Sequence, residues 1–582
     1  MSSFAHRDFA ADARSLGITA VAALLGVLST GAAYVLLALI RAFTNLFFFQ
    51  RLSLAAISPA NNHLGAGVIL VPVIGALIIG FMARFGSEKI RGHGIPEALE
   101  AILFGRSRMS LKVALLKPLS SGIAIGSGGP FGAEGPIIMT GGAIGSLLGQ
   151  RLRISGAERK TLLVAGAVAG MTAVFGTPIA GVLLAVELLL FELRPRSLLP
   201  VAVACATAAF ARPVLFEAGP LFPLSTGPVS AICLLSCVVA GVASGALSWA
   251  LSTTLYKIED AFGRLPVHWM WWPAIGAIVI GAGGYWQPRA LGVGYDVIAD
   301  LLQNRMAVGV VAALVLCKAV MWVVALGSGT SGGVLAPLLT IGAGLGVLLA
   351  PYLPGAEPTL WPLVFMAATL GGMMRAPIMA LMFAFEVSHD TNALLPLLTA
   401  CATAYGLTVL LMPRSILTEK IARRGYHIYR EYGIDPLERQ MVGDVMTRDP
   451  IGIPSSETID GALTRYFGRD QQHRAFPVVR DDAYVGMVDR ELLKKYVGSN
   501  ASRLSELFGE NPPVMALADE SCRTVAARLA VHGLERIPVV SDAHTRKLIG
   551  LVTRSDLIKS SRDLHAEEHE FEQMLPWPWQ RT

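Results

Sequence analysis

The sequence predicts a polytopic all-α membrane domain with an internal repeat and broken helices, followed by a smaller α/β domain. Three observations predict it. Of the 582 residues, 53% are apolar and only 15% charged, against about 25% charged in an average soluble domain. The charge is unevenly placed: residues 1–420 hold 18 of the 42 acids, and residues 421–582 hold the other 24. Each half of the apolar part also repeats the same punctuation of glycine, proline and acid. The resulting division is a membrane domain over 1–425, a linker over 426–439, two related modules over 440–499 and 500–562, and a polar tail over 563–582.

The first apolar stretch, Ile18 to Ile40, exceeds the roughly 20 residues a span needs and carries no cleavage-type signal, so it is expected to stay in the membrane. Further apolar segments fall near 65–84, 111–126, 137–149, 161–193, 197–216, 228–252, 271–286, 307–326, 332–350, 360–373, 376–388 and 393–412. Several are too short to span, and many are interrupted by Gly or Pro. Short, broken segments in matching halves point to discontinuous helices and an ion site near the midplane.

The halves match by spacing. Gly135-Pro136 is followed 42 residues later by Pro178, and nine residues after that by Glu187. Ala336-Pro337 is followed 40 residues later by Pro377, and again nine residues on by Glu386. A Ser-Gly run precedes each first proline, Ser127-Gly128-Gly129 and Ser331-Gly332-Gly333. Spacing alone does not show whether the repeat is inverted.

Glu134 is the only acid between Glu100 and Glu158, and it lies in Gly132-Ala133-Glu134-Gly135-Pro136. An ionisable group at membrane depth is costly and marks function by default. The glycines and prolines around it break the helix, which a bilayer tolerates only where protein buries the backbone or water lines it. Glu187 and Glu386 are read first as braces or caps of helices, and the glycine-rich runs also suit close helix packing.

Basic residues cluster in short loops: Arg151, Arg153, Arg159 and Lys160; Arg194 and Arg196; Arg414, Lys420, Arg423 and Arg424. This is the positive-inside pattern and places those loops on the cytoplasmic face. No basic stripe interleaved with aromatics suggests nucleic acid. The six cysteines form no metal-binding spacing and no disulfide framework. No nucleophile–base pair or metal cluster suggests an enzyme, and no cofactor is required.

The tail repeats internally. Phe476-Pro477-Val478-Val479 recurs as Ile537-Pro538-Val539-Val540, 61 residues later, and Gly486-Met487-Val488 as Gly550-Leu551-Val552. Each unit reads as helix, strand, polar turn, strand and helix. The acids from Glu567 to Glu572 read as a solvated helix face.

With these motifs in order, the chain resembles the CLC family of chloride channels and proton/chloride antiporters, with a tail like a pair of CBS modules. Gly92-His93-Gly94-Ile95-Pro96 is similar to the family's first anion-binding loop, with His93 for the usual serine. Gly132-Ala133-Glu134-Gly135-Pro136 matches the second and places Glu134 at the gating glutamate. Gly333-Val334-Leu335-Ala336-Pro337 matches the third, with Leu335 for phenylalanine. Ser415 to Lys420 matches the fourth, with Leu417 where the family has an ion-coordinating tyrosine. The anion-binding set this implies is Gly92, His93, Gly94, Ile95, Gly132, Ala133, Gly135, Val334, Leu335 and Leu417. The physical basis is general: a helix N-terminus carries about half a positive charge, and several aimed at one point hold an anion without a fixed cation. An ionised Glu134 can occupy such a site, and a protonated or displaced one vacates it.

The resemblance implies an inverted repeat and a homodimer with one pathway per subunit, surrounded by membrane lipid. The setting expected is the bacterial cytoplasmic membrane, with the tail in the cytosol. Chloride is the expected substrate, with nitrate or another small anion as the alternative. Channel and coupled exchanger both stay open. Family antiporters often carry an internal proton-accepting glutamate just after the position of Glu187, where this chain has Leu188; a proton path would run through Glu134, Glu187 and Glu192. His93 is either an ion ligand or a neutral histidine bonded to backbone. In the second module Thr553 and Asp556 are the hydroxyl and carboxylate that CBS modules use on the ribose of an adenine nucleotide. A structural or dimerising tail is the competing reading. Two rival functions remain at this level, a CBS-regulated divalent-cation transporter and a non-transporting anion sensor.

Overall fold

A computed structural model describes residues 14–426, 437, 440–468, 471, 473–497, 502–508 and 513–559. Apart from Tyr426 and Leu437, the linker lies outside these, as does the acidic stretch from Glu567 to Glu572. The chain forms two units, one ending and the other beginning within the linker.

The first unit is helical throughout. Its helices are α1 (Arg14–Phe49), α2 (Leu70–Phe85), α3 (Ile95–Leu103), α4 (Leu111–Gly126), α5 (Glu134–Arg151), α6 (Gly156–Phe175), α7 (Pro178–Leu184), α8 (Pro195–Leu215), α9 (Ala231–Gly263), α10 (Trp272–Trp286), α11 (Tyr295–Leu302), α12 (Val308–Gly327), α13 (Leu335–Leu349), α14 (Leu360–Met374), α15 (Pro377–Ser388), α16 (Leu394–Leu411) and α17 (Ile416–Arg423). Among the described residues, seven helical stretches are long and apolar enough to cross a membrane. At 1.5 Å per residue, α1 runs about 54 Å, well beyond an apolar core of about 30 Å. α5, α6, α13 and α14 are almost wholly buried and form the centre of the unit.

Polar punctuation sets the helix ends. Ser110 and Ser155 accept the N–H groups of Val113 and Glu158 as N-caps. Pro178 and Pro377 open α7 and α15, where a missing N–H costs nothing. The apolar segment expected over 161–193 is not one helix. It breaks after α6, because Gly176 takes φ +74° in the left-handed region and the chain restarts at Pro178. α7 then continues into a π-helical turn, Ala185–Leu190, which carries Glu187. The matching break before α15 uses Arg375 at φ +56°. Its guanidinium donates to the carbonyls of Thr408 (3.0 Å) and Met412, which holds an unfavourable backbone conformation in place.

The two repeats contact each other reciprocally. Glu386 on α15 accepts the N–H groups of Ile179 (2.9 Å) and Ala180 (2.8 Å) at the start of α7. Glu187 accepts those of Ile378 (3.3 Å) and Met379 (2.9 Å) at the start of α15. Each acid caps the other repeat's helix, as two halves related by a pseudo-two-fold axis require. Glu386→Ala strands one buried and one part-buried donor and should cost about 2–3 kcal/mol. Glu187→Ala should cost less, because that acid is more exposed and one of its bonds is long. Thermal melting of the two variants in detergent checks the order.

The second unit holds two small sheets. Strands β2 (Ile453–Pro454), β3 (Ala475–Arg480) and β4 (Ala483–Asp489) form one, in the order β2-β3-β4. Strands β1 (Thr447–Arg448), β5 (Ala516–Leu517), β6 (Arg536–Val540) and β7 (Leu548–Thr553) form the other, in the order β1-β7-β6-β5. The repeat holds in register: Pro477 faces Met487 and Pro538 faces Leu551, and both hairpins slip by a residue at the Val-Val pair. Two features go beyond the expected helix-strand-strand-helix order. A short strand precedes each first helix and pairs in parallel, β2 with β3 and β5 with β6. The start of the first module is also exchanged, since β1 pairs with β7 and Val442 sits in the second module's core. Residues 440–448 therefore belong structurally to the second module.

Candidate functional site

Three glycine-rich loops meet backbone to backbone. In the first, Gly92 (φ +78°) and Gly94 (φ +91°) turn the chain into α3, and the Gly94 N–H donates to Glu97 at 2.9 Å. The second and third loops exchange both backbone bonds of an antiparallel bridge: Gly132 N–H to Gly333 O (3.3 Å) and Gly333 N–H to Gly132 O (3.0 Å). Gly332 N–H reaches back to Gly92 O at 3.4 Å. The starts of α5 at Glu134 and of α13 at Leu335 are thereby held side by side. Ala133, Gly135, Val334, Leu335 and Ile95 are all fully buried here or nearly so. Each helix start presents unpaired N–H groups, so their convergence favours negative charge.

Glu134 occupies this convergence. It is 0% exposed. Its Oε1 accepts the Tyr295 hydroxyl at 3.3 Å, and Oε2 has no hydrogen-bond partner among the described residues. A Cβ added at Gly333 would meet Oε2 at 2.8 Å, so the acid lies against the loop that leads into α13 of the opposite repeat.

His93 is 2% exposed, and its buried Nδ1 has no hydrogen-bond partner among the described residues. A histidine bonded to backbone through Nδ1 is therefore not what the structure shows. Leu417, in the first turn of α17, is fully buried and offers no side-chain donor. A vestibule of about 940 Å³ opens beside the first loop and is lined by Glu97, Met139, Lys420, Arg423 and Arg424 among others. Arg424 pairs with Glu97 (3.0 Å) and with Glu100.

Two of the acids read as a proton path are tied elsewhere. Glu187 braces α15, as above. Glu192 pairs with Arg194 (3.8 Å) in a cluster of basic groups that includes Lys160 and Arg196. Leu188 is fully buried. In the second unit, Thr553 and Asp556 do come together, but they are spent on each other. Asp556 Oδ2 accepts the Thr553 N–H (3.0 Å) and hydroxyl (2.7 Å), and Oδ1 accepts Lys559 Nζ (2.8 Å). The large cleft of this unit, about 1240 Å³, is lined instead by Asp489, Arg490, Lys494, Phe508 and Arg536 among others.

Three residues that touch these loops, the repeat copy of the first loop, or Glu134 escaped the motif reading. Lys117 on α4, fully buried, donates to Ile90 O and Gly92 O (both 2.8 Å) and to Ser331 Oγ (3.1 Å). It ties the first loop to the third. Lys318 on α12 is its counterpart and donates to Gly292 O at 2.8 Å. Tyr295 opens α11. The signal was present: Gly292-Val293-Gly294-Tyr295 copies Gly92-His93-Gly94-Ile95 at the repeat distance, and Lys117 and Lys318 stand at nearly the same distance after Gly92 and Gly292.

Broken helices converging around one buried carboxylate define a membrane protein with an anion-favouring centre between two repeats. The chain belongs to the voltage gated chloride channel family, whose model matches residues 74–409, more than half of its length. The CBS domain model matches residues 442–499 and 505–563. Among its relatives is a voltage-gated ClC-type chloride channel ClcB of Citrobacter koseri, 29% identical, covering 66% of this chain and 90% of that protein. Another is the H(+)/Cl(-) exchange transporter ClcA of Salmonella arizonae, 27% identical over 60% of this chain and 76% of that one. A solved slow cyanobacterial Cl-/H+ antiporter shares the fold, with a TM-score of 0.63 and 21% identity over 71% of this chain and 99% of that one.

Proposed function

We propose that this chain moves chloride across a membrane through a pathway gated by Glu134, with a proton as the ion that displaces the gate. The observation that carries this is the fully buried carboxylate set against the loop that leads into α13, with one oxygen unpartnered among the described residues. Ionised, it competes with chloride for the same helix-end N–H groups. Protonated, it loses its charge and its claim on the site. Leu335 contributes its backbone N–H, His93 an imidazole, and Leu417 an apolar wall.

The working unit of the proposal is a homodimer in the bacterial cytoplasmic membrane, with one pathway per subunit. Phe210, Val214 and Leu410, on α8 and α16, are more than 80% exposed in the single chain and face lipid or a second copy. The basic loops beside the vestibule support a cytosolic side for it. The proton is assigned to Glu134 alone, because Glu187 and Glu192 are engaged elsewhere. The proposal assigns no nucleotide to Thr553 and Asp556, whose hydrogen bonds among the described residues run to each other, to Ser555 and to Lys559. A divalent-cation pathway would need several oxygen ligands at one point, and this centre holds one carboxylate.

The test is flux from proteoliposomes under a chloride gradient, with pH followed inside. The expected result is chloride movement that rises as pH falls. In Glu134→Gln, whose amide does not titrate in this range, that dependence should flatten and any proton movement should stop. Retention of both would refute the gate. Uphill proton movement by the unaltered protein identifies an exchanger, and its absence a channel. Magnesium uptake without chloride uptake would support the cation rival, and no flux of either ion the sensor.

A further inference from the structure

The Glu134 gate has one side-chain partner among the described residues, and it comes from the other repeat. Tyr295 stands at the first position of α11, in the second copy of the anion loop. Gly294 takes φ +80° there, as Gly94 does at φ +91° in the first copy. Lys318 fixes this loop from beneath through Gly292 O (2.8 Å), and the Gly292 N–H bonds to Gly128 O at 3.1 Å, just ahead of the gating loop. The phenol ring is held edge-on by Phe175 (6.0 Å between centroids) and lies beside Phe222 (6.4 Å). Tyr295 is half-buried while Glu134 is fully buried. Elsewhere at the centre, Leu417 offers no hydroxyl.

We infer that Tyr295 is a positioning residue of the gate: its hydroxyl anchors the ionised Glu134 carboxylate in the anion site and so sets how readily chloride displaces it. This rests on the gate reading above. A hydrogen bond to a charged acceptor is stronger than one to a neutral group, and a length of 3.3 Å makes this one weaker than the ideal. Without it the carboxylate is less firmly held, and chloride competes better.

The experiment compares the unaltered protein, Tyr295→Phe, Glu134→Gln and the double variant in proteoliposomes, reading chloride flux against chloride concentration. Tyr295→Phe keeps the ring and its neighbours, and should lower half-saturating chloride about three- to tenfold. In the Glu134→Gln background the same change should shift it by less than about twofold. That dependence on the acid separates anchoring from loop support, which would act in both backgrounds. Tyr295→Leu, also lacking the hydroxyl, should move in the same direction and guards against a folding defect in the first variant. No shift in Tyr295→Phe, or an equal shift in both backgrounds, overturns the inference and leaves the gate standing. If Glu134→Gln transports like the unaltered protein, the gate reading itself fails and this inference falls with it.

Discussion

Lys117→Met is expected to weaken chloride binding at least tenfold and to lower the melting temperature of the detergent-solubilised protein. The side chain is fully buried and carries three bonds, to Ile90 O, Gly92 O and Ser331 Oγ. Methionine fills similar space but donates nothing. Two backbone carbonyls then lose their donor, at about 1–3 kcal/mol each. Relief of the desolvated ammonium offsets part of this, so a net loss of about 2 kcal/mol is expected. The effect on the anion is separate. Lys117 ties the first loop to the Ser331 segment that leads into α13, and so holds two helix starts at a common point. Its charge also acts through a poorly screened interior. Loss of about 1.4 kcal/mol of anion stabilisation is already tenfold. Lys318→Met is the comparison. It removes an equally buried ammonium, but one with a single short bond, to Gly292 O. Its melting temperature should fall less. Calorimetric chloride titration and thermal melting of both variants check the pair, and equal chloride affinity in Lys117→Met and the unaltered protein would refute the coupling.

What was legible in the sequence follows from what backbone geometry demands of residue type. Gly92, Gly94, Gly132 and Gly333 could be read as loop positions because close approach leaves no room for a Cβ, and Pro178 and Pro377 because proline suits a helix start. Glu134 stood out because a lone acid in an apolar stretch needs a reason. The acids nine residues after each proline were readable as braces, but their partner was not: each caps the helix of the other repeat, about 200 residues away. Tyr295 and the two lysines were missed for a related cause. Their role comes from repeat symmetry, and outside a known motif a tyrosine after Gly294 or a lysine inside an apolar run reads as loop or topology. In the tail, the exchange of β1 into the second sheet rests on two residues, too short for any period to show.

Gly135→Ala should be among the most damaging single substitutions in the chain. An added Cβ would fall on the carbonyl oxygen of His93 and within 3.3 Å of Gly333 Cα, so it meets main chain on both sides. From the opposite direction, a Cβ on Gly94 would meet Gly135 O at 2.7 Å. At Gly135 the three nearest atoms are all main chain, so no side chain can move aside to relieve the clash. The first loop, the start of α5 and the third loop are in direct backbone contact, and relief requires one of them to shift. The bridge between Gly132 and Gly333 and the three bonds of Lys117 oppose that shift. Overpacking a tight core costs about 1–3 kcal/mol, and a site walled by main chain on two sides belongs at or above the upper end, about 3–4 kcal/mol. Chloride flux should be lost with it, because the displaced helix starts no longer share one point. Gly156→Ala is the control. That glycine opens α6 with nothing within 4 Å of an added Cβ, so alanine should be neutral or slightly stabilising. Size-exclusion profiles and melting curves in detergent measure both. If Gly135→Ala melts and transports like Gly156→Ala, the three loops do not meet as described, and the anion site they form together has no physical basis.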